Sequence, residues 1–247
     1  VTLALIAAAL YLAAAVRLRR RGDAWPGWRS LSFATGCVAL AAPSPGGPFT
    51  AHMVEHLVMG MFAPLLLVSA RPVTLLLRAL PTGRFRRALV AGARSRPAAV
   101  LVFPPVAAVL DVGGLWVLYR TGLFAAAHDD PWLHALVHLH VCVAGVLFSA
   151  AICQLDPVRH RSSFVLRAST LVAAGAAHAV LAKSLWAVPP PGTAFSPADL
   201  RRGAEVMYYG GDLAEIGLAV VIAVGWYAAG GRTLRRSRRR AAFSRPA

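Results

Sequence analysis

Trp132-Leu133-His134-Ala135-Leu136-Val137-His138-Leu139-His140-Val141-Cys142-Val143-Ala144-Gly145-Val146-Leu147-Phe148-Ser149-Ala150-Ala151-Ile152 runs without a lysine, arginine, aspartate or glutamate. A helix that crosses the hydrocarbon of a bilayer needs about 20 mostly apolar residues, and this stretch supplies them. Six more runs repeat the pattern, at Val1–Val16, Leu31–Ala42, Ala51–Ala70, Pro97–Tyr119, Phe164–Leu185 and Val206–Ala229. The composition agrees: 57% of the 247 residues are hydrophobic and 15% charged, where a soluble domain carries about 25% charged residues. The expectation is an all-α polytopic membrane protein of about seven transmembrane helices. Residues 1–230 form one transmembrane domain and 231–247 a basic tail. Val1–Val16 reads as a span rather than a cleaved leader, because no basic segment precedes it and no small-residue cleavage site follows.

Charge decides the short second run. If all seven runs cross, the loops that fall on one side hold 22 of the 26 basic residues. The other side keeps only Arg120, Lys183, Arg201 and Arg202. Lysine and arginine stay cytoplasmic, so the N-terminus lies outside and the C-terminus inside. Leaving Leu31–Ala42 out would put basic loops on both faces. The net charge of +16 is then read as orientation on an anionic membrane surface. Nucleic acid is not an expected partner, since no aromatic side chains of the kind that stack bases interleave the arginine blocks. Cys37, Cys142 and Cys153 form no C-x-x-C pair and read as buried thiols rather than a disulfide framework.

The acidic residues reverse the bias. Only Asp23 and Asp156 fall on the basic side, while Glu55, Asp111, Asp129, Asp130, Asp199, Glu205, Asp212 and Glu215 fall outside or within spans. Ionisable groups inside a membrane are costly and mark a site. At 3.6 residues per turn, His52, His56 and Met59 share one face of the third span. His134 and His138 share a face of the fifth, and His140 points away from them. Asp111 and His178 belong to the outer halves of the fourth and sixth spans. Glu205, Tyr208, Asp212 and Glu215 form a stripe on the seventh. Two i,i+4 histidine pairs entering from the same side can present imidazoles to one ion, and imidazole suits copper, zinc, iron or nickel. Nearby methionine thioethers tilt the choice toward Cu(I) over Cu(II). Against this, a single buried histidine is more often hydrogen-bonded packing, and methionine is ordinary core filler.

Two other chemistries fit parts of the pattern. His52-Met53-Val54-Glu55-His56 matches the H-x-x-E-H of inverted zinc peptidases, with Glu55 as base. Bis-histidine haem ligation between the third and fifth spans is another, although the c-type attachment signature C-x-x-C-H is absent.

Four patches of the chain resemble the CtaG-type cytochrome c oxidase assembly factors, integral membrane proteins of bacteria. The first is Ala51–His56 followed by Pro64 and Arg71-Pro72. The second is His138-Leu139-His140 with Gly145, Phe148 and Asp156-Pro157. His178 is similar to a histidine of the actinobacterial-type members, and Asp199, Gly203, Met207 and Asp212 repeat the spacing of the family's final segment. The chain departs from the family in carrying Glu55 where glutamine is usual, Asp212 where glutamate is usual, and Ser149-Ala150-Ala151 in place of an aromatic run.

The resemblance implies a metallochaperone rather than an enzyme. It would sit in the bacterial cell membrane and deliver copper to an apo cytochrome c oxidase subunit, with membrane lipids as its surroundings and a homo-oligomer compatible with the role. Its ligands are then expected among His52, His56, His134 and His138. Met53 and Met59 would be soft auxiliaries. His140, His178, Met207, Asp212, Glu205 and Asp111 would be further candidates or supporting groups. The rival is a copper transporter or tolerance protein, which should continue its polar residues into the cytoplasmic half; little beyond Cys153 lies there.

Overall fold

The computed structural model describes residues 2–42 and 48–243, with side chains through residue 228. In chain order the helices are α1 (Thr2–Arg20), α2 (Gly27–Ala41), α3 (Phe49–Leu57), α4 (Ala63–Ser69), α5 (Pro72–Ala79), α6 (Arg84–Ala93) and α7 (Arg96–Leu101). They continue as α8 (Pro104–Ala108), α9 (Gly114–Arg120), α10 (Leu123–Asp129), α11 (Pro131–Cys153), α12 (Phe164–Ala187) and α13 (Pro197–Phe243). A π-helical turn, Val58–Phe62, joins α3 to α4, and a second, Val109–Gly113, joins α8 to α9. No strand occurs among the described residues.

Capping residues set the starts of the long helices. Asp130 accepts from the Trp132 and Leu133 N–H groups, with Pro131 in the first turn of α11. Ser163 Oγ accepts from Leu166 N–H at the head of α12, and Ser196 Oγ from Asp199 N–H at the head of α13. These are the residue types that satisfy free N–H groups at a helix start.

Five stretches are long and apolar enough to cross a membrane: Thr2–Arg20, Phe49–Ala79, Pro131–Cys153, Phe164–Ala187 and Pro197–Ala228. A sixth follows if Pro104–Arg120 and Leu123–Asp129, bent by 78°, count as one. The expected second span is helical, but α2 has 15 residues and rises about 22 Å, short of a hydrocarbon layer of about 30 Å.

Two spans start well away from the sequence expectation. The fourth span starts at Pro104 rather than Pro97, because Pro104 and Pro105 lack N–H donors and hold Phe103 extended at φ −74°, ψ 122°. The seventh starts at Pro197 rather than Val206, so the helix takes in Asp199 and Glu205. Residue 1 and the arginines of the expected basic tail lie outside the described side chains; α13 itself continues to Phe243.

Carboxylates from distant sequence tie the bundle at both ends. Asp199 of α13 accepts from Phe49 N–H at 2.7 Å, Thr50 N–H at 3.2 Å and Thr50 Oγ1–H at 2.6 Å, which caps α3 across the helix interface. Asp156 does the same for α5 at the opposite end, accepting from Val73 N–H, Thr74 N–H and Thr74 Oγ1–H. Between these ends α11 packs on the first π turn so closely that a Cβ on Gly145 would overlap the Gly60 carbonyl. Small residues permit such approach between membrane helices.

Candidate metal centre

The cap on α3 fixes the helix that carries most of the candidate ligands. One turn in from Asp199, His52 places Nε2 2.9 Å from Tyr119 Oη of α9. Below it, a cavity of about 20 Å³ is lined by His52, Glu55, His56, Met59, Tyr119 and His138, with apolar Leu118, Val137 and Val141. That volume suits one ion or one water. Above it opens a larger cavity of about 420 Å³, which includes His52, Glu55, His128, Asp129, His134 and three phenylalanines, Phe49, Phe124 and Phe195. His52 and Glu55 line both spaces and form the wall between them.

Accounting for the ring nitrogens separates the histidines. His138 has both engaged: Nδ1 lies 2.9 Å from the His134 carbonyl and Nε2 3.2 Å from Glu55 Oε1. Its ring lies against that of His134, with centroids 4.0 Å apart. His140 turns away, as expected, and meets the Leu110 carbonyl at 3.1 Å.

His56 and His178 differ. Both are buried, at 5% and 3% exposure. Among the described residues, neither nitrogen of His56 has a partner, and neither has Nε2 of His178. His178 Nδ1 faces Glu215 Oε1 at 3.8 Å. An unsatisfied buried polar group costs about 1–3 kcal/mol and in native proteins often marks a functional group, a water or an ion. The His56 and His178 centroids are 6.1 Å apart with planes tilted by 33°. Two imidazoles that share an ion at about 2.0–2.1 Å per nitrogen have centroids at most roughly 6.4 Å apart, when the two bonds are collinear, and about 5 Å apart at a tetrahedral angle, so 6.1 Å fits only a near-linear pair. The Glu215 carboxylate lies outside hydrogen-bond range of Nδ1, so it acts on the His178 ring as a nearby charge rather than as a fixed support.

The structure thus brings His52, His56, His138 and Met59 to one small cavity and His134 to its entrance. It adds His178 beside His56. Met53 and Met207 instead pack in one apolar cluster with Phe49, Leu181 and Leu200. Asp212 is half-buried on α13 and Glu205 is exposed. Asp111 lies on the second π turn, where it is half-buried. Among the described residues, no group of three or more His, Cys, Asp or Glu side chains is gathered as a closed metal site. Sequence reasoning missed Tyr119 as the partner of His52, Glu215 as the carboxylate facing His178, and α10, whose Phe124 covers His52 with centroids 4.8 Å apart.

Helices of membrane-crossing length around a buried histidine cluster define a polytopic α-helical membrane protein with a polar site at one end of its bundle. The profile of the cytochrome c oxidase caa3 assembly factors (Caa3_CtaG) matches residues 9–229, and the chain belongs to that family. It is 38% identical over 185 residues to uncharacterized proteins of Mycobacterium bovis and Mycobacterium tuberculosis. It is 36% identical over 182 residues to one of Mycobacterium leprae. Each alignment covers 68% of this chain and 28% of the relative, so the chain spans under a third of the length of these curated relatives. No solved structure matches.

Proposed function

We propose that this protein binds copper in the outer part of the bilayer and hands it to an apo cytochrome c oxidase subunit during assembly. The observation that carries the reading is the pair His56 and His178, with three buried ring nitrogens that lack a partner among the described residues. Their ring centroids lie 6.1 Å apart, and His56 also lines the small cavity with His52, His138 and Met59. His52, His134 and His138 act as the entry side, with Glu55 beside them, and Met59 offers a soft donor on the same cavity. Soft thioether and imidazole donors favour Cu(I). A cavity of about 20 Å³ suits a bare ion better than a porphyrin, which speaks against the haem reading. Membership of an oxidase assembly family supports an oxidase subunit as the recipient, and delivery requires no catalytic turnover.

The same proposal holds that the chain makes seven passes of the bacterial cell membrane, with its N-terminus outside and its C-terminal arginines on the cytoplasmic surface. The 22-to-4 division of basic residues supports this orientation.

A deletion strain tests the function. Oxidase polypeptide should still be made, oxidase activity should fall, and added copper should partly restore it. The chain with His56→Ala and His178→Ala should fail to complement. A change in total cell copper with normal oxidase loading would point to a transporter. Complementation by the double variant would leave a metal-free scaffold.

A further inference from the structure

A second large cavity lies at the end of the bundle away from the histidines, where α4 and α11 end and α12 begins. Its volume is about 840 Å³, and Arg71, Arg161 and Arg167 all line it without any acidic residue among the lining. Asp156, the carboxylate of that end, is committed to the Val73 and Thr74 backbone. Arg167 donates through Nη1 to the Ile152 carbonyl at 2.9 Å. The Nε–H groups of Arg71 and Arg167 are buried without an acceptor among the described residues.

The backbone is unusual at the same place. Arg71 and Gln154, at φ 54° and 46°, are the two non-glycine residues with left-handed backbone among those described, and both line this cavity. That conformation is disfavoured for residues with a Cβ. A helix C-terminus often takes a left-handed residue, but usually glycine. Here Gln154 stands instead, and its Oε1 accepts from Ser162 N–H at 3.0 Å, closing the rim. Strain of this kind clusters where ligands are held.

The remaining wall is apolar and faces outward: Trp28 is 56% exposed and Trp226 60% exposed, with Phe164 and Val224 beside them. Tryptophan is enriched at the level of lipid headgroups. Guanidinium groups present forked donors that fit phosphate oxygens. We propose that this cavity binds an anionic phospholipid, with its phosphate at Arg71, Arg161 and Arg167 and its acyl chains along Trp28, Phe164 and Trp226. Basic pockets between membrane helices suit such headgroups. The inference stands independently of copper.

The test uses the full chain in phosphatidylcholine nanodiscs with and without phosphatidylglycerol, read by thermal stability and by native mass spectrometry of retained lipid. Phosphatidylglycerol should raise the melting temperature and stay bound, while inorganic phosphate should do neither. Arg71→Gly keeps the left-handed backbone without strain and removes one guanidinium, and Arg161→Glu alters a side chain on the exposed rim. Together they should weaken retention more than roughly a hundredfold, at about fivefold per unit of charge, with Arg161→Glu counting as two. Equal stabilisation by phosphatidylcholine, an equal effect of inorganic phosphate, or undiminished retention by the double variant would each overturn the proposal. The unfolding transition in phosphatidylcholine alone should be no lower for the variant than for wild type, which separates lost binding from lost fold.

Discussion

His56 and His178 are buried imidazoles that a soluble-style accounting would call mistakes, since three of their four nitrogens find nothing to bond. If they are kept for a ligand, removing one should help the ligand-free protein. His178→Leu is expected to raise metal-free stability by about 1–3 kcal/mol, the cost of an unsatisfied buried group, as read by denaturant melts in detergent. His138→Leu should do the reverse, because both its nitrogens are engaged and Glu55 loses a partner. Equal destabilisation by both changes would argue that His178 is packing. Glu215 offers a gentler probe. Its carboxylate lies 3.8 Å from His178 Nδ1, too far for a hydrogen bond; if it closes on the ring when an ion binds, its loss lowers metal affinity about 10–100-fold, as for other groups that orient ligand histidines. Glu215→Ala should therefore weaken Cu(I) binding by about that factor while the fold stays intact.

Individual helices were legible in the sequence wherever length, apolarity and a cap coincided, as in α11, whose expected bounds of Trp132–Ile152 became Pro131–Cys153. The i,i+4 histidine faces were legible for the same reason, since helical periodicity fixes which side chains align. What periodicity cannot report is the rotation of one helix against another, and that decided the site. It turned Met53 into the apolar core and brought His178 next to His56. The two π turns were also hidden, because no residue type specifies them; they follow from packing.

The caps made across helices belong to this scale too. Asp199 satisfies two backbone N–H groups and one hydroxyl of a helix about 150 residues away in sequence. Asp199→Ala should cost about 1–2 kcal/mol, the upper range for a lost N-cap, and should loosen α3 with its histidines. A melting temperature unchanged by Asp199→Ala would remove this account of how the site is held. Gly145→Val should be worse, since the added carbons meet the Gly60 carbonyl and overpacking costs about 1–3 kcal/mol. Loss of folded protein on size-exclusion would register it.

At the scale of the whole molecule, polarity is the organising feature. One end gathers histidines and most carboxylates; the other gathers the arginine-rich loops. Reporters fused after Pro48 and Asp130 should be active outside the cell, and those after Gly92 and Arg161 inside. A cytoplasmic signal from the Pro48 fusion would mean that α2, at 15 residues, does not cross, and the seven-pass orientation would fall. The central claim, that the histidine end holds copper for delivery, is tested most directly by competitive Cu(I) and Zn²⁺ titration of the purified chain beside its variants. Wild type should take Cu(I) in preference to Zn²⁺. His140→Ala should leave that binding unchanged, and His56→Ala combined with His178→Ala should abolish it in a protein that still melts cooperatively. Copper binding that survives the loss of both His56 and His178 would contradict the account.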